Sequence, residues 1–180
     1  MSKAFTKDDD SAGELLVVPR APLPEGVPNY VTRRGLGALH AEQVLLERER
    51  TAIESTDDAD RVSKLHALAQ RLTDLQARIA SARVVDSTEQ PHDRVRFGAT
   101  VQVRSASGKE QSYQIVGVDE ADAASGRIAF SSPLARALLG KRTGESAEVR
   151  TPRASEELDV IGISYDEAQE SSEGPKNSRK

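Results

Sequence analysis

Leu65, Leu68, Leu72, Leu75, Ile79 and Ala82 recur at alternating spacings of three and four. That interval keeps one stripe of a helix turned towards a partner helix, and it is the seam of a coiled coil. Leu36, Leu39, Leu46 and Ile53 repeat the interval upstream, with Gln43 and Arg50 at its two polar positions. Between the two ladders lies an acidic turn containing Glu54, Asp57, Asp58 and Asp60. Ser55-Thr56-Asp57-Asp58 offers N-cap chemistry, because a short oxygen side chain accepts from the free amides of a helix start and carboxylates suit its positive end. One helix is therefore expected to stop near Ile53 and the next to start near Asp57, giving an antiparallel helical hairpin. The first arm, of about 21 residues, is on the order of 32 Å long, and the second runs to about Arg83. Thr32 or a neighbour is expected to cap the first arm, although Gly35 and Gly37 each weaken its first turn by about 1 kcal/mol.

The pattern changes on either side of this hairpin. Residues 1–28 combine Asp8-Asp9-Asp10 with four prolines and read as a flexible acidic tail whose one apolar cluster is Leu15-Leu16-Val17-Val18. The hairpin is assigned to 29–86. After Val84-Val85-Asp86 and a polar hinge interrupted by Pro91, the period becomes alternating. Val95, Phe97 and Thr100–Arg104 read as strand, Ser105–Gly108 as turn, and Ser112–Val118 as the returning strand. An acidic loop from Asp119 to Gly126 precedes a strand at Arg127–Phe130. Ser131-Ser132-Pro133 then starts a short helix with Leu134, Leu138 and Leu139 on one face and Gly140 at its end. Glu148–Thr151 and Leu158–Ile163 close the sheet. The head is assigned to 87–166 and a disordered tail to 167–180. The fold class is α+β, a helical hairpin followed by an antiparallel sheet with one short helix.

Composition excludes several function classes. With 37 % hydrophobic and 30 % charged residues, the 180-residue chain can bury one modest core, and much of it must be solvated or elongated. Aromatics at 3 % fit a coiled coil and a small sheet rather than a large enzyme core. Without cysteine there is no disulfide or thiolate metal site, and His40, His66 and His92 are scattered, as surface histidines are. A net charge of −4 argues against coating nucleic acid through overall charge. No apolar run approaches the roughly 20 residues that span a bilayer, and the N-terminus has no signal-peptide core. The expectation is a cytoplasmic monomer with no membrane partner.

The run Ser132-Pro133-Leu134-Ala135-Arg136-Ala137-Leu138-Leu139-Gly140-Lys141-Arg142-Thr143-Gly144-Glu145 resembles the signature of the Gre transcript-cleavage factors of bacterial RNA polymerase. Tyr113-Gln114-Ile115-Val116-Gly117-Val118-Asp119-Glu120 and Thr151-Pro152 also fit that family, and Pro22–Thr32 is similar to its GreB branch. The resemblance covers about residues 22–166 with one large gap. It implies a head of FK506-binding-protein-like fold that docks on the polymerase rim, and a hairpin that enters the secondary channel. On that reading Asp119, Glu120, Ser131, Ser132, Pro133 and Leu134 are the polymerase-binding residues. Arg94, Arg96, Arg104, Lys109, Arg127, Arg136, Lys141 and Arg142 give the head a positive excess that in the family faces nascent RNA; scattered solubilising charge is the alternative.

The resemblance also implies an accessory factor with no catalytic residues of its own and no resident cofactor. In active Gre factors, tip acids help hold the second magnesium ion of the polymerase active centre, a hard cation that takes oxygen ligands and keeps several waters. The candidate tip acids here are Glu54, Asp57, Asp58 and Asp60, with Glu54 and Asp57 as candidates for sharing that Mg²⁺. Capping and solvation of the second helix is the alternative use of these acids. Aligned by the leucine seam, Glu54 falls on the family's tip glutamate, but Thr51 stands where the family has aspartate. The hairpin region is also shorter than in GreB by about fifteen residues, about 10 Å of reach shared over two arms. A carboxylate that must sit about 2.1 Å from a metal cannot fall 10 Å short, so cleavage stimulation is expected to be weak or absent. A short hairpin is also similar to the regulator of nucleoside diphosphate kinase, a non-cleaving Gre relative. An isomerase or chaperone is the reading from a different class. It needs an aromatic-lined pocket, for which the head offers Phe97, Tyr113, Phe130 and Tyr165.

Overall fold

The computed structural model describes residues 20–57, 59–86, 91–150 and 155–165. The tail through Pro19, Asp58 at the tip, hinge residues 87–90, Thr151-Pro152 and the segment from Asp166 lie outside the described residues.

Helix α1 spans Arg33–Glu54 and α2 spans Arg61–Ser81. Leu39 and Leu46 from α1 bury against Leu68, Leu72 and Leu75 from α2, with Ile53 and Ile79 packed on the ends of the ladder. The leucine interval is thus used as the sequence predicts as far as Ile79. Helix α2 stops at Ser81, short of the expected Arg83, and the last ladder position, Ala82, turns to extended backbone. At 22 residues α1 is about 33 Å long. The two polar seam positions turn to local partners: Gln43 donates to Glu47 at 3.0 Å, and Arg50 lies 3.7 Å from Glu54 on the surface.

The tip differs from expectation. Ser55 and Thr56 donate their hydroxyls to the Ala52 carbonyl (2.7 and 3.0 Å), so they close the end of α1 rather than open α2. A hydroxyl serves a free helix carbonyl as readily as a free amide, and here the carbonyl is nearer in sequence. Helix α2 consequently starts at Arg61, four residues beyond the expected Asp57, with Asp60 at the N-cap position.

Strand β1 (Asn29–Val31) precedes α1, and β2 (Ala82–Val84) follows α2. They pair in parallel across the hairpin base, Tyr30 opposite Arg83. Neither short strand has an alternating pattern long enough to be read from the sequence.

The head is a five-stranded sheet in the order β5-β4-β3-β7-β6. Its members are β3 (Ala99–Ser105), β4 (Glu110–Val116), β5 (Arg127–Ala129), β6 (Ser146–Arg150) and β7 (Ser155–Tyr165). Ala99, Val101 and Val103 point inward from the central β3, as alternation requires. They meet Val95, Ile115, Ala147, Val149, Leu158 and Val160, and helix α3 (Pro133–Leu138) covers this core with Ala135 and Leu138. Four strands pair antiparallel as expected, but β5 joins β4 in parallel, so the sheet is mixed at that edge. Two 3₁₀ turns, Val118–Glu120 and Ala123–Ser125, make that crossover, in the stretch the sequence marks as an acidic loop. Gly126 ends it in the left-handed region (φ 75°), where a side chain would be strained and would meet the Ser112 carbonyl.

Candidate functional site

Three places carry the residues that the sequence singles out: the hairpin base, the turn into α3, and the tip.

At the base, the side chains of Asp119 and Glu120 face the hairpin. Thr32 is the N-cap of α1, and its hydroxyl accepts from the Gly35 amide at 2.9 Å. The same hydroxyl donates to Glu120 Oε2 in a short contact, while the Thr32 amide donates to Glu120 Oε1 at 2.9 Å. Gly117 adds its amide to Oε1 at 3.2 Å. The first turn of α1 contains no acidic residue of its own. Glu120 supplies the missing carboxylate from the head, where the free amides and positive end of the helix favour an anion. Gly35 makes the approach feasible, since a Cβ there would lie 2.0 Å from the Glu120 carboxyl carbon. The glycine that weakens the helix start on propensity is what admits this carboxylate.

Asp119 is held from the other side. Its side chain is 6 % exposed and lies 3.2 Å from Arg20 and 3.6 Å from Arg78 of α2. Arg78 is itself buried beside Leu75 on the inner face of α2. Asn29 completes the base, donating to the Arg78 carbonyl at 3.0 Å and to the Ser81 hydroxyl at 3.2 Å. Rings seal the remaining edge. Tyr30 of β1 packs against Phe97 at 6.1 Å and edge-on against Phe130 at 5.9 Å, and Phe97 and Phe130 meet at 5.9 Å. Each such pair contributes about 0.5–1.5 kcal/mol beyond its buried area.

Ser131, Ser132, Pro133 and Leu134 follow directly from Phe130. Ser132 caps α3 by accepting from the Ala135 amide at 3.2 Å, Pro133 takes the first helical position, and Leu134 leans on the head core. Pro133 is exposed while Ser131 and Ser132 are half-buried. The cap explains Ser132 and Pro133 structurally and leaves Pro133 exposed on a turn beside the aromatic seal.

At the tip, Glu54 and Asp57 are exposed, and Glu54 shares its surface with Arg50. The Thr51 hydroxyl donates to the Glu47 carbonyl at 3.2 Å. Asp60 stands at the start of α2 without capping it through its side chain. Among the described residues, no three His, Asp or Glu side chains gather in a metal-binding group.

Most of the basic residues of the head have acidic neighbours. Arg94, Arg96 and Arg142 surround Asp93, Arg104 pairs with Glu110, and Arg127 pairs with Asp122. Hydrogen bonds from Ser125 and Arg127 hold the Asp122 carboxyl below the usual carboxylate range. Lys109, Arg136 and Lys141 remain without an ion pair among the described residues. His92 stacks on Tyr165 at 4.3 Å, and no described helix is long and apolar enough to cross a membrane.

Comparison with known proteins bears on this arrangement. The family model described as "Transcription elongation factor, GreA/GreB, C-term" matches residues 90–165, which contain the whole sheet and α3. Transcription elongation factor GreA of Methylobacterium nodulans is 37 % identical over 157 residues, covering 78 % of this chain and 98 % of that protein. The chain belongs to the GreA/GreB family of transcription elongation factors. GreA of Hyphomonas neptunium is 37 % identical over 151 residues, covering 75 % and 96 % of the two chains. A solved GreA/GreB structure from Nitrosomonas europaea covers 77 % of this chain and 99 % of that one at 23 % identity, with a TM-score of 0.38. The Methylobacterium alignment takes in about 140 residues of this chain, 78 % of 180, against 157 aligned positions, so the GreA protein carries about 17 residues with no counterpart here. As a Gre-family factor the chain is an accessory transcription protein rather than an enzyme in its own right.

Proposed function

We propose that this Gre-family chain binds bacterial RNA polymerase, seats the Ser131–Leu134 turn on the rim of the secondary channel, and places its hairpin in that channel without promoting RNA cleavage. The observation that carries this reading is the anchoring of the hairpin base. Glu120 bonds the N-cap of α1, and Asp119 lies between Arg20 and Arg78, so the turn and the tip belong to one body. On this reading Asp119 and Glu120 serve the polymerase contact through the hairpin that they hold.

The tip supports occupancy over chemistry. Thr51 brings no carboxylate to the place where the family has one, its hydroxyl is turned to Glu47, and Glu54 lies beside Arg50. A magnesium ion shared with another enzyme needs one or two carboxylates at about 2.1 Å. The alternative of a proline isomerase loses its aromatic site, because Phe97 and Phe130 are engaged by Tyr30.

Stalled, backtracked elongation complexes at matched magnesium test this. The chain is expected to displace an authentic GreA factor while RNA cleavage stays at the intrinsic rate. Pro133→Glu, an exposed change at a helix position that tolerates an acid, is expected to weaken that displacement about tenfold, or about 1.4 kcal/mol. Absence of any competition would remove the polymerase assignment. Strong cleavage that disappears in the Glu54→Ala, Asp57→Ala double variant would instead make the tip a working magnesium ligand.

A further inference from the structure

Arg20 and Ala21 reach both helices of the hairpin and the head. Arg20 donates through Nη2 to Glu42 of α1 in a short contact, and through Nη1 to Asp119 of the head at 3.2 Å. The Ala21 carbonyl accepts from Arg78 Nη2 of α2, also in a short contact. Arg78 Nη1 and Asp119 Oδ2 face one another at 3.6 Å, and both atoms are buried without a hydrogen-bond partner among the described residues. Two arginines from different segments thus bracket one head carboxylate, and each also grips a further element.

This cluster is placed to do something that the two cores do not. The leucine ladder closes the hairpin and the sheet closes the head, each without Arg20. Glu120 fixes the start of α1 at one point, and Tyr30 fixes β1 at another. A rod held near its foot can still tilt unless something resists movement of the second helix and of the next turns of the first. Glu42 lies two to three turns along α1, and Arg78 lies on α2. Side-chain exposures of 6 % for Asp119, 11 % for Arg78 and 22 % for Arg20 place the pairs where solvent screening is weak and loss of one partner strands a charge. Burial works to lower the Arg20 pKa, and the hydrogen bonds and charges of Glu42 and Asp119 outweigh it, so the guanidinium is held firmly in its charged form.

We infer that Arg20 is a positioning residue, and that the segment Arg20–Ala21 is a strap that sets the angle between hairpin and head by tying Glu42, Arg78 and Asp119 together. The inference adds a determinant of hairpin direction to the function proposed above and rests on that reading only for its biological use. Its test needs no polymerase, so it can fail while polymerase binding stands.

The chain has no cysteine, so Ala59→Cys at the exposed tip and Lys109→Cys at the far turn of the head carry the only two spin labels. Electron-electron resonance on the full-length chain is expected to give one narrow tip-to-head distance distribution. Arg20→Ala is expected to broaden that distribution at least twofold, while the 222 nm ellipticity stays within about a tenth of its starting value, since neither core is touched. Arg20→Lys should restore part of the narrowness, because a single ammonium can hold one carboxylate but not span two. Should Arg20→Ala lose helix signal, Glu42→Ala, which removes only the half-exposed partner, is scored in its place and is expected to broaden the distribution less. A distribution that is already broad in the parent chain, or one that neither Arg20→Ala nor Glu42→Ala changes, would overturn the strap.

Discussion

Truncation of Leu75 to alanine is expected to destabilise the hairpin by about 3–5 kcal/mol, the largest effect of any single substitution in α2. Leu75 is 0 % exposed, in a ladder that includes Leu68 and Leu72 on its own helix and Leu39 and Leu46 on the facing one. Two helices of 22 and 21 residues bury few other apolar groups, so the cavity has no thick surrounding core to collapse into it. Isolated helices of this length are marginal in water, and their stability comes from the packed stripe. Denaturant unfolding followed at 222 nm should show the lowered midpoint. The tyrosine signal, which arises from Tyr30, Tyr113 and Tyr165 near or within the head, should move less. A loss below about 1 kcal/mol at 222 nm would mean that the ladder is not the principal support of the hairpin. Leu45→Ala, at a 62 % exposed position on α1, is the control and should lie within about 0.5 kcal/mol of the parent.

The ladder was legible because its signal is local and periodic. The apolar residues at intervals of three and four from Leu65 to Ile79 mark one helical stripe, and the strands of the head likewise declare themselves by alternation. Ser132 and Pro133 show their roles through short-range chemistry that a cap and a first helical position require. At the tip the sequence is ambiguous, since Ser55 and Thr56 can serve either helix and the choice depends on which carbonyls lie in reach. At the base only the Thr32 cap was legible. Thr32 and Glu120 are separated by 88 residues, and Arg20 and Asp119 by 99, with no periodicity to connect them. Arg78 carried a usable hint. It follows Leu75 by three on the buried face, where an arginine needs a carboxylate, and Asp119 is the one that reaches it. Asp119 and Glu120 stand in a family motif, and their carboxylates are spent between hairpin and head.

Gly35→Ala is expected to cost about 2–3 kcal/mol, against the helix-propensity gain of about 1 kcal/mol that alanine would bring in open solvent. The new methyl would lie 2.0 Å from the Glu120 carboxyl carbon and 2.3 Å from Oε1, so the carboxylate must leave. A long side chain moves easily when its end is free, but this one accepts from the Thr32 amide, the Thr32 hydroxyl and the Gly117 amide. Eviction therefore removes three charge-assisted hydrogen bonds and the anion at the positive end of α1. The sign of the effect should depend on that carboxylate. In a Glu120→Ala background the obstacle is gone, the hydrogen bonds are already lost, and Gly35→Ala should become stabilising by about 0.5–1 kcal/mol through propensity alone. The coupling between the two sites, measured as a double-mutant cycle in denaturant, should thus be about 3 kcal/mol. If Gly35→Ala had the same sign and size in both backgrounds, Glu120 would not be the brace of the hairpin, and the head would have to hold α1 by the aromatic seal and Asp119 alone.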